Sequence, residues 1–296
     1  MRLLLIDAYY YMYRSFYAIR HLRNSKGEPT NAVYGVIKTF QKMIQDLSPD
    51  RAAVVFDLGA PAARLALQKD YKANRPETPP DLKTQFPVIE RVIDALGFPR
   101  VAIEGEEADD LIAAYVRRAE KENYEVILAT NDKDLMQLVS DHCRVYQTEK
   151  DTFQLLGIAE VQEKWGVSPA QIKEILALTG DAVDNIPGVP GIGPKTAAQL
   201  IQAFQTAENV ILQAEKITSP KTQAAIQAHR EQIFSNLKMV QLRDDLTLPM
   251  PIEKLVIQPD IEAQRREFEA LEFKSFLNQL KPAQKASSAP VQGELF

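Results

Sequence analysis

Hydrophobic residues in the first half of the chain alternate between short continuous runs and runs with helical spacing. The continuous runs predict buried strands at residues 2–7, 52–57, 101–103 and 125–130. The helically spaced runs predict helices at residues 9–19, 32–47, 81–96 and 108–122. This alternation predicts an α/β fold with a mostly parallel central sheet and helices on both faces. In such a fold the functional crevice lies beyond the carboxyl ends of the strands.

The strand pattern ends near residue 158, and a helical pattern follows. Short helices separated by Gly and Pro are predicted at residues 161–166, 169–179, 196–204, 224–237 and 260–280. The last stretch is rich in Pro, Ala and Ser, which predicts a flexible tail. The chain is therefore expected to contain an α/β core at 1–158, a helical region at 159–280 and a tail at 281–296.

Composition is typical of a globular protein, with 45% hydrophobic and 25% charged residues. No apolar run approaches the roughly 20 residues that span a bilayer. No secretory signal is visible, so we expect a cytoplasmic protein without a membrane partner. The single cysteine, Cys143, and three histidines exclude an internal disulfide and a zinc cluster with the usual ligands. Any bound metal should therefore have oxygen ligands.

The net charge of -5 hides an uneven distribution of charges. Residues 1–100 carry 15 Lys and Arg against 10 Asp and Glu, whereas residues 101–150 carry 6 against 12. A basic segment can follow a phosphate backbone, but an adjacent acidic cluster would repel it unless cations bridge the two. The charge pattern therefore favours a metal-assisted contact with phosphate.

Nine carboxylates occupy positions that the predicted sheet can bring to one edge. They follow predicted strands, begin a predicted helix, or stand three residues apart in the stretch TGDAVDNIPG, on one face of a helical turn. The set comprises Asp7, Asp57, Glu107, Asp109, Asp110, Asp132, Asp134, Asp181 and Asp184. Each residue alone has an ordinary alternative explanation, because acidic side chains cap helices and complement the helix dipole.

Carboxylates that are packed together disfavour one another's ionisation unless a cation compensates. Oxygen ligands without His or Cys favour Mg²⁺ or Mn²⁺, with some of the acids orienting water rather than touching the metal. Two such ions about 4 Å apart can drive the hydrolysis of a phosphodiester. The acidic set therefore predicts a site for two divalent ions.

A glycine-punctuated turn at residues 188–197, GVPGIGPKTA, runs into a predicted helix. Its simplest interpretation is a tight turn. However, backbone amides at a helix N-terminus without obstructing side chains also bind phosphate, and Lys195 adds positive charge. The pattern indicates a helix-hairpin-helix motif.

The stretch RLALQKDYKANR between Arg64 and Arg75 places four basic residues close together, with Tyr71 among them. An exposed basic helix is usually only a solvated surface. This one begins shortly after Asp57, so its cations project near the predicted carboxylate edge. There they could bind a 5′ phosphate while Tyr71 stacks on a base.

These motifs together resemble the 5′ to 3′ exonuclease, or flap endonuclease, domain at the amino terminus of bacterial DNA polymerase I. The resemblance runs from residue 2 to about residue 280. The matching stretches are LLLIDAYYYMYRSFYA, NSKGEPTNAVYG, VVFD, YKANRP, EEADDLI, TNDKDLMQLV and LTGDAVDNIPGVPGIGPKTAAQLI. The resemblance implies a PIN-like 5′ nuclease fold with a helical arch at about residues 64–96. No polymerase region follows, so a stand-alone or a truncated nuclease is expected.

The resemblance also implies roles for residues. The nine carboxylates would bind two divalent ions, and Lys72, Arg75 and Arg14 would contact the scissile or 5′ phosphate as catalytic residues. Tyr71 would be the stacking aromatic. The hairpin would bind duplex DNA, together with a potassium ion, through Gly188, Gly191, Gly193, Lys195 and Thr196.

The resulting hypothesis is a monomeric, Mg²⁺-dependent nuclease that cuts 5′ flaps and 5′ ends of DNA, and RNA primers, during Okazaki fragment maturation and repair. One alternative is a non-catalytic module that binds junction DNA. Retention of all nine acids favours the enzyme, because a simple DNA binder would gain by losing them. A PIN-like ribonuclease is disfavoured because the glycine hairpin is suited to a duplex backbone.

The chain ends in Gln292-Gly-Glu-Leu-Phe296, which resembles the Gln-x-x-Leu-Phe peptide that binds the bacterial replication sliding clamp. An incidental chain end is the alternative. Gln292 would fix the orientation of the peptide, and Leu295 and Phe296 would enter an apolar pocket. We therefore include the clamp among the expected partners.

Overall fold

The structure is a computed structural model that describes residues 1–149 and 152–280. Within these residues it confirms the α/β fold with a mostly parallel sheet and a helical second region. The strands are β1 (Arg2–Asp7), β2 (Arg51–Val55), β3 (Arg100–Val101), β4 (Glu125–Ala129), β5 (Cys143–Glu149) and β6 (Thr152–Leu156). They form one sheet in the order β3-β2-β1-β4-β5-β6. Neighbouring strands run parallel except β5 and β6, which are antiparallel.

One to three helices separate successive strands up to β4, and the remaining helices follow one another after β6. The first six are α1 (Ala8–Ala18), α2 (Asn31–Leu47), α3 (Ala62–Leu67), α4 (Pro80–Lys83), α5 (Phe86–Ala95) and α6 (Ala108–Lys121). The remaining helices are α7 (Ile158–Trp165), α8 (Ile172–Thr179), α9 (Pro194–Phe204), α10 (Ala207–Leu212), α11 (Pro220–Ala228), α12 (Arg230–Val240), α13 (Ile261–Ala270) and α14 (Lys274–Gln279).

The central strands are buried because helices cover both faces of the sheet. In β1, Leu3 and Leu5 belong to the hydrophobic cluster that contains α6 and the helices α7 to α12. Leu4 and Ile6 point to the other face, where they join α1, α2, α5, α13 and α14. All four side chains are fully buried. A strand that is buried on both faces needs a continuous apolar run, which is the pattern that the sequence displays.

The single helix predicted over residues 81–96 is wrong, because the structure forms the two helices α4 and α5 instead. The break places the side chain of Gln85 in the core, where its Oε1 accepts hydrogen bonds from the backbone N–H groups of Ala32 (2.8 Å) and Val33 (3.3 Å). Gln85 thereby satisfies the free amides at the start of α2. Pro87, at the second position of α5, is compatible with a helix start but not with a helix interior.

Further elements also differ from the prediction. Residues 224–237 fall in two helices, α11 and α12, which meet at His229, and residues 260–280 fall in α13 and α14. Glu272 lies between α13 and α14 with a left-handed backbone (φ 61°), which ends the first of these helices. The predicted strand at 101–103 is the short β3. The strands β5 and β6 are not predicted, because they lie at the exposed side of the sheet and polar residues interrupt their apolar positions.

Residues 281–296 lie outside the described residues, and so do Gln292, Leu295 and Phe296 of the predicted clamp peptide. Among residues 1–149 and 152–280, every helix is too short or too polar to cross a bilayer.

Candidate active site

The predicted acidic residues meet at the carboxyl edge of the sheet. Asp7 ends β1, Asp57 stands two residues after β2, and Asp132 follows β4. The strand β1 lies between β2 and β4, so the ends of these three strands are neighbours. Asp109, in the first turn of α6, joins them. We call Asp7, Asp57, Asp109 and Asp132 the sheet-edge group.

Two members of this group also cap helices, so a capping role and a metal-binding role are compatible in the same residue. Asp7 Oδ1 accepts a hydrogen bond from the Tyr10 N–H at the start of α1 (3.1 Å). Its Oδ2 accepts from the Thr130 hydroxyl at 3.1 Å. Asp57 Oδ1 accepts from the Ala108 N–H at the start of α6 (2.8 Å). These bonds fix the two carboxylates in place.

The sheet-edge group is electrostatically strained without a cation. Burial, and then the charges of Asp132 and Asp57, raise the pKa of Asp7 to about 7, although the hydrogen bond from Tyr10 opposes the change. Burial, with the charges of Asp132, Asp7 and Asp57, also raises the pKa of Asp109 well above its ordinary value. Mutual repulsion of this kind requires the carboxylates to be close together.

Three more carboxylates converge beside this group. Asp134, Asp181 and Asp184 each offer an oxygen, and these atoms lie within 4.8 Å of one another. Asp134 Oδ1 is buried and has no hydrogen-bond partner among the described residues. Burial, then the charges of Asp132, Asp181 and Asp184, raise the pKa of Asp134 to about 8. We call Asp134, Asp181 and Asp184 the turn group.

The donor set fits a divalent cation. The ligands are all carboxylate oxygens, they converge, and the buried oxygen of Asp134 lacks the partner that a buried acceptor normally has. The pKa of Asp132 is raised by burial and by the charges of Asp184 and Asp181, which places the sheet-edge group next to the turn group. The two groups together contain seven of the nine predicted carboxylates.

The raised pKa values predict that the metal-free protein loses stability as the pH rises. In the folded chain the pKa of Asp7 is about 7 and that of Asp134 about 8, both above the ordinary value of 3.8. The folded protein therefore binds more protons than the unfolded protein between about pH 4 and pH 8, and the free energy of unfolding falls across this window. Urea unfolding of the EDTA-treated protein at several pH values measures the effect.

Asp134→Asn should flatten this pH dependence, because it removes one of the carboxylates that repel each other. The matched control is Asp245→Asn, which changes an exposed carboxylate outside both groups. Unfolding curves with the same pH dependence in the wild type and in Asp134→Asn would contradict the expected repulsion.

The other two predicted ligands, Glu107 and Asp110, are paired with a buried arginine. Arg64 Nη1 contacts Glu107 Oε2, and it lies 2.6 Å from Asp110 Oδ2, while Nη2 lies 3.0 Å from Asp110 Oδ1. Arg64 Nε also donates to the Met239 carbonyl in α12 (3.0 Å). Asp110 Oδ1 accepts a further bond from the Arg243 N–H at 2.9 Å. Asp110 thus joins α6, α3 and the segment after α12.

Arg64 was predicted as part of an exposed basic helix, but its side chain is buried. It is a single arginine among Ala and Leu in α3, and this composition was the available signal for burial. Lys133 is a second residue of the site for which the sequence pattern gives no signal. Its Nζ lies 2.9 Å from Asp181 Oδ1, so it adds a cation to the turn group.

Lys72 and Arg75 reach the acidic edge as predicted from their position in the chain. Lys72 Nζ contacts Glu107 Oε1 and lies 4.0 Å from Asp184 Oδ2. Arg75 Nη2 contacts Asp184 Oδ1. Burial lowers the pKa of Lys72, but the charges of Glu107 and Asp184 outweigh this effect, and the net change is upward. Both cations therefore stay charged where a phosphate would approach the carboxylates.

Tyr71 lies in the same segment, but its ring is buried with 7% exposure. Its hydroxyl donates to Asp184 Oδ2 (3.0 Å) and lies 3.2 Å from Glu107 Oε1. Burial, with these two negative charges, raises the pKa of the phenol far above its ordinary value. In this conformation the hydroxyl is bonded to the carboxylates and the ring is covered. Stacking on a base would therefore require the segment to move.

Arg14 lies on the β5 side of the acidic edge. Its Nη2 donates to the Thr148 hydroxyl at 2.6 Å, and its guanidinium lies 5.7 Å from the centroid of the Tyr11 ring. These residues line a polar cleft of about 380 Å³, together with Thr130, which holds Asp7. Arg14 is therefore near the sheet-edge group, whereas Lys72 and Arg75 are near the turn group.

The glycine hairpin has one packed end and one open end. A Cβ on Gly188 would lie 2.0 Å from the Thr179 carbonyl oxygen, so this glycine permits close packing of the turn on α8. Gly191 (φ 83°) and Gly193 are exposed, and a Cβ on either would meet no described atom within 4 Å. The helix α9 begins at Pro194, two residues before the predicted start, and Lys195 is exposed in its first turn, followed by the half-buried Thr196.

The open end allows a clean test of phosphate contact through the backbone. Gly193→Ala should weaken binding to the duplex part of a flap substrate by about tenfold, because a methyl group obstructs close approach to the amides. Gly193 has φ -93°, which alanine accepts without strain. Gly191 has φ 83°, where alanine would be strained, so it is not suitable for this test. Fluorescence anisotropy with duplex and single-stranded oligonucleotides measures both affinities.

The control for this variant is Gly157→Ala at the start of α7, where φ is -104° and the nearest atom is Glu160 Oε2 at 3.4 Å. It should bind both oligonucleotides like the wild type. An equal loss of affinity for duplex and single strand in Gly193→Ala would show that the hairpin is not a duplex contact.

The protein combines a mostly parallel sheet, an acidic edge and a helical second region. This combination is found in the 5′ nucleases, as comparison with known proteins shows. Residues 2–166 match the family described as 5′-3′ exonuclease, N-terminal resolvase-like domain. Residues 167–263 match the family described as 5′-3′ exonuclease, C-terminal SAM fold. The chain belongs to the 5′-3′ exonuclease family.

Two kinds of relative share this sequence. The 5′-3′ exonuclease of Aquifex aeolicus is 36% identical over 279 residues, which cover 94% of this chain and 94% of the relative. DNA polymerase I of Thermus thermophilus is 37% identical over 298 residues, which cover 99% of this chain and 35% of the polymerase. The chain therefore spans about a third of the length of the polymerases that it matches.

Solved structures share the fold at lower identity. A T5 5′-exonuclease with divalent metal ions (zinc) bound has a TM-score of 0.68 at 23% identity, covering 95% of this chain and 98% of that one. The catalytic core of Rad2 in complex with DNA substrate has a TM-score of 0.62 at 15% identity, covering 94% and 92%.

Proposed function

We propose that the protein is a structure-specific 5′ to 3′ exonuclease and 5′-flap endonuclease that hydrolyses phosphodiester bonds in DNA with two divalent ions, Mg²⁺ or Mn²⁺. The observation that carries this proposal is the convergence of three carboxylate oxygens in the turn group, one of them buried without a partner. This arrangement is suited to a cation, and it lies beside Lys72 and Arg75.

The turn group would hold one ion and the sheet-edge group the other. Such ions activate water, orient an in-line attack and stabilise the leaving oxygen. The protein's own residues supply the rest of the chemistry. Lys72 and Arg75 neutralise charge that develops on the scissile phosphate, Arg14 binds a neighbouring phosphate from the β5 side, and the carboxylates orient water by hydrogen bonds.

Duplex binding is assigned to the hairpin, with backbone amides near Gly191 and Gly193 facing a phosphate and Lys195 adding charge. The exposure of these residues supports this assignment. A potassium ion at the hairpin is proposed from the sequence resemblance. The matched complexes of Rad2 with DNA substrate and of the T5 flap endonuclease with DNA and metal ions support DNA as the substrate.

Primer removal, Okazaki fragment maturation and repair are the processes that supply 5′ flaps and 5′ ends, so we propose these roles for the protein. Sliding-clamp binding through Gln292, Leu295 and Phe296 is proposed from the sequence alone.

The experiment for this proposal uses a duplex with a labelled 5′ flap, incubated with the protein and either Mg²⁺ or EDTA. We expect cleavage near the base of the flap with Mg²⁺ and none with EDTA. Tight binding of the flap without cleavage in Mg²⁺ or Mn²⁺ would instead identify a non-catalytic junction-binding module. Cleavage of single-stranded RNA in preference to the flap would identify a ribonuclease.

A further inference from the structure

Residues 68–75, which we call the docked segment, are held on the 181–185 turn by amide side chains. Gln68 Nε2 donates to the Asn185 carbonyl oxygen at 2.6 Å. Asn185 Nδ2 donates in return to the Asp70 carbonyl (2.7 Å) and lies 3.1 Å from Asp70 Oδ2. Asn74 Nδ2 donates to the Ala182 carbonyl at 2.6 Å. These bonds join parts of the chain that are more than one hundred residues apart.

The backbone of Lys72 does not follow local preference. Lys72 has φ 59°, in the left-handed region that residues other than glycine, asparagine and aspartate rarely adopt, whereas Asn185, with φ 60°, is of a type that tolerates this region. The Lys72 N–H donates to the Asp184 carbonyl at 3.1 Å. A strained backbone of this kind persists only where surrounding contacts determine it. The docking bonds are therefore needed to keep Lys72 in its observed place.

The position of the Lys72 ammonium depends on the same bonds. A lysine side chain has four rotatable bonds and loses much conformational freedom when its end is fixed. Its Nζ nevertheless contacts Glu107 and lies 4.0 Å from Asp184 Oδ2. Releasing the docked segment from the 181–185 turn would move the backbone of Lys72 and, with it, the ammonium group.

We propose that Asn185 is a positioning residue that holds Lys72 over the scissile phosphate through its hydrogen bond to Asp70, an inference that rests on the proposed nuclease function. The amide of Asn185 faces the docked segment and not the acidic groups. Its role is therefore separate from metal binding by its neighbour Asp184.

Asn185→Gly is the sharpest variant, because glycine accepts φ 60° and the change removes only the side chain. Asn123→Gly is the matched control, since Asn123 also has a left-handed backbone (φ 58°) but is exposed after the end of α6. Asn74→Ala provides a second variant. Asn74 is exposed, so its loss should not unfold the protein.

The test is a double-mutant cycle on single-turnover cleavage of a 5′-flap duplex with saturating enzyme and Mg²⁺. Asn185→Gly should slow cleavage by about tenfold. In a Lys72→Ala background it should have no further effect, because the group that it positions is already gone. The Mg²⁺ concentration for half-maximal rate should be unchanged. Asn74→Ala should give a smaller loss with the same non-additivity.

A second readout needs neither metal nor DNA. Hydrogen exchange measured by mass spectrometry should be faster in peptides that cover residues 68–75 in Asn185→Gly, and unchanged in Asn123→Gly. The positioning role would be overturned if the effects of Asn185→Gly and Lys72→Ala on the cleavage rate multiplied in the double mutant. It would also be overturned if Asn185→Gly changed the Mg²⁺ concentration for half-maximal rate, or left hydrogen exchange in residues 68–75 unchanged. A wild-type protein that does not cut the flap would instead overturn the proposed function.

Discussion

Asp109→Ala is expected to lower single-turnover cleavage of a 5′-flap duplex by about 10⁴-fold, while binding of the same duplex is unchanged or tighter. The variant loses a carboxylate of the sheet-edge group that would hold a divalent ion, and it also loses a charge that repels phosphate. Rapid-quench kinetics measure the cleavage rate, and fluorescence anisotropy in EDTA measures binding. Asp245→Ala, which removes an exposed carboxylate elsewhere, should cut like the wild type.

Asp110→Ala is also expected to abolish cleavage, because Asp110 is a predicted metal ligand and holds Arg64 against Glu107, and it carries an additional cost in stability. Removal of Asp110 leaves the Arg64 guanidinium buried with fewer partners, which should lower the free energy of unfolding by about 3 kcal/mol. Asp109→Ala should not be destabilised, because it relieves repulsion among carboxylates. Wild-type cleavage by both variants would contradict the metal assignment.

Lys72→Ala should lower the single-turnover cleavage rate by about 10²-fold, with little change in affinity for the flap. The ammonium lies beside the carboxylates of Glu107 and Asp184, where it would stabilise charge that develops on the phosphate. The control is Lys69→Ala, which removes an exposed lysine three residues earlier in the chain. Single-turnover rates across a range of enzyme concentrations separate the two effects.

A loss confined to affinity in Lys72→Ala would make this lysine a contact for binding and not for chemistry. Equal losses in Lys72→Ala and Lys69→Ala would indicate a general effect of positive charge in the segment.

The acidic edge could be predicted because it depends on short-range pattern and on a general property of parallel sheets. Continuous apolar runs identify β1, β2 and β4, and carboxyl ends of parallel strands share one edge. Asp7, Asp57 and Asp132 are placed together by this rule alone. The turn group follows less directly, because Asp134 and the 181–185 turn meet only when α8 packs beside the sheet.

Contacts within the site could not be predicted from the sequence. The pairing of Arg64 with Asp110 depends on where α3 packs against α6, and an arginine in a basic stretch gives no sign of its partner. Burial of Tyr71 depends on how the docked segment folds onto the 181–185 turn. The break between α4 and α5 depends on Gln85, whose side chain replaces a cap at the distant start of α2. These features arise from long-range packing.

Binding of two ions at the acidic edge can be observed directly in a crystal structure of the protein grown with Mn²⁺, with anomalous scattering used to locate the ions. We expect one peak bounded by Asp134, Asp181 and Asp184, and a second peak within the sheet-edge group. In Asp134→Asn the first peak should be lost or weakened, whereas the fold is retained. Absence of any peak at the acidic edge at saturating Mn²⁺, or ions bound only elsewhere on the protein, would show that these carboxylates do not form a two-metal site.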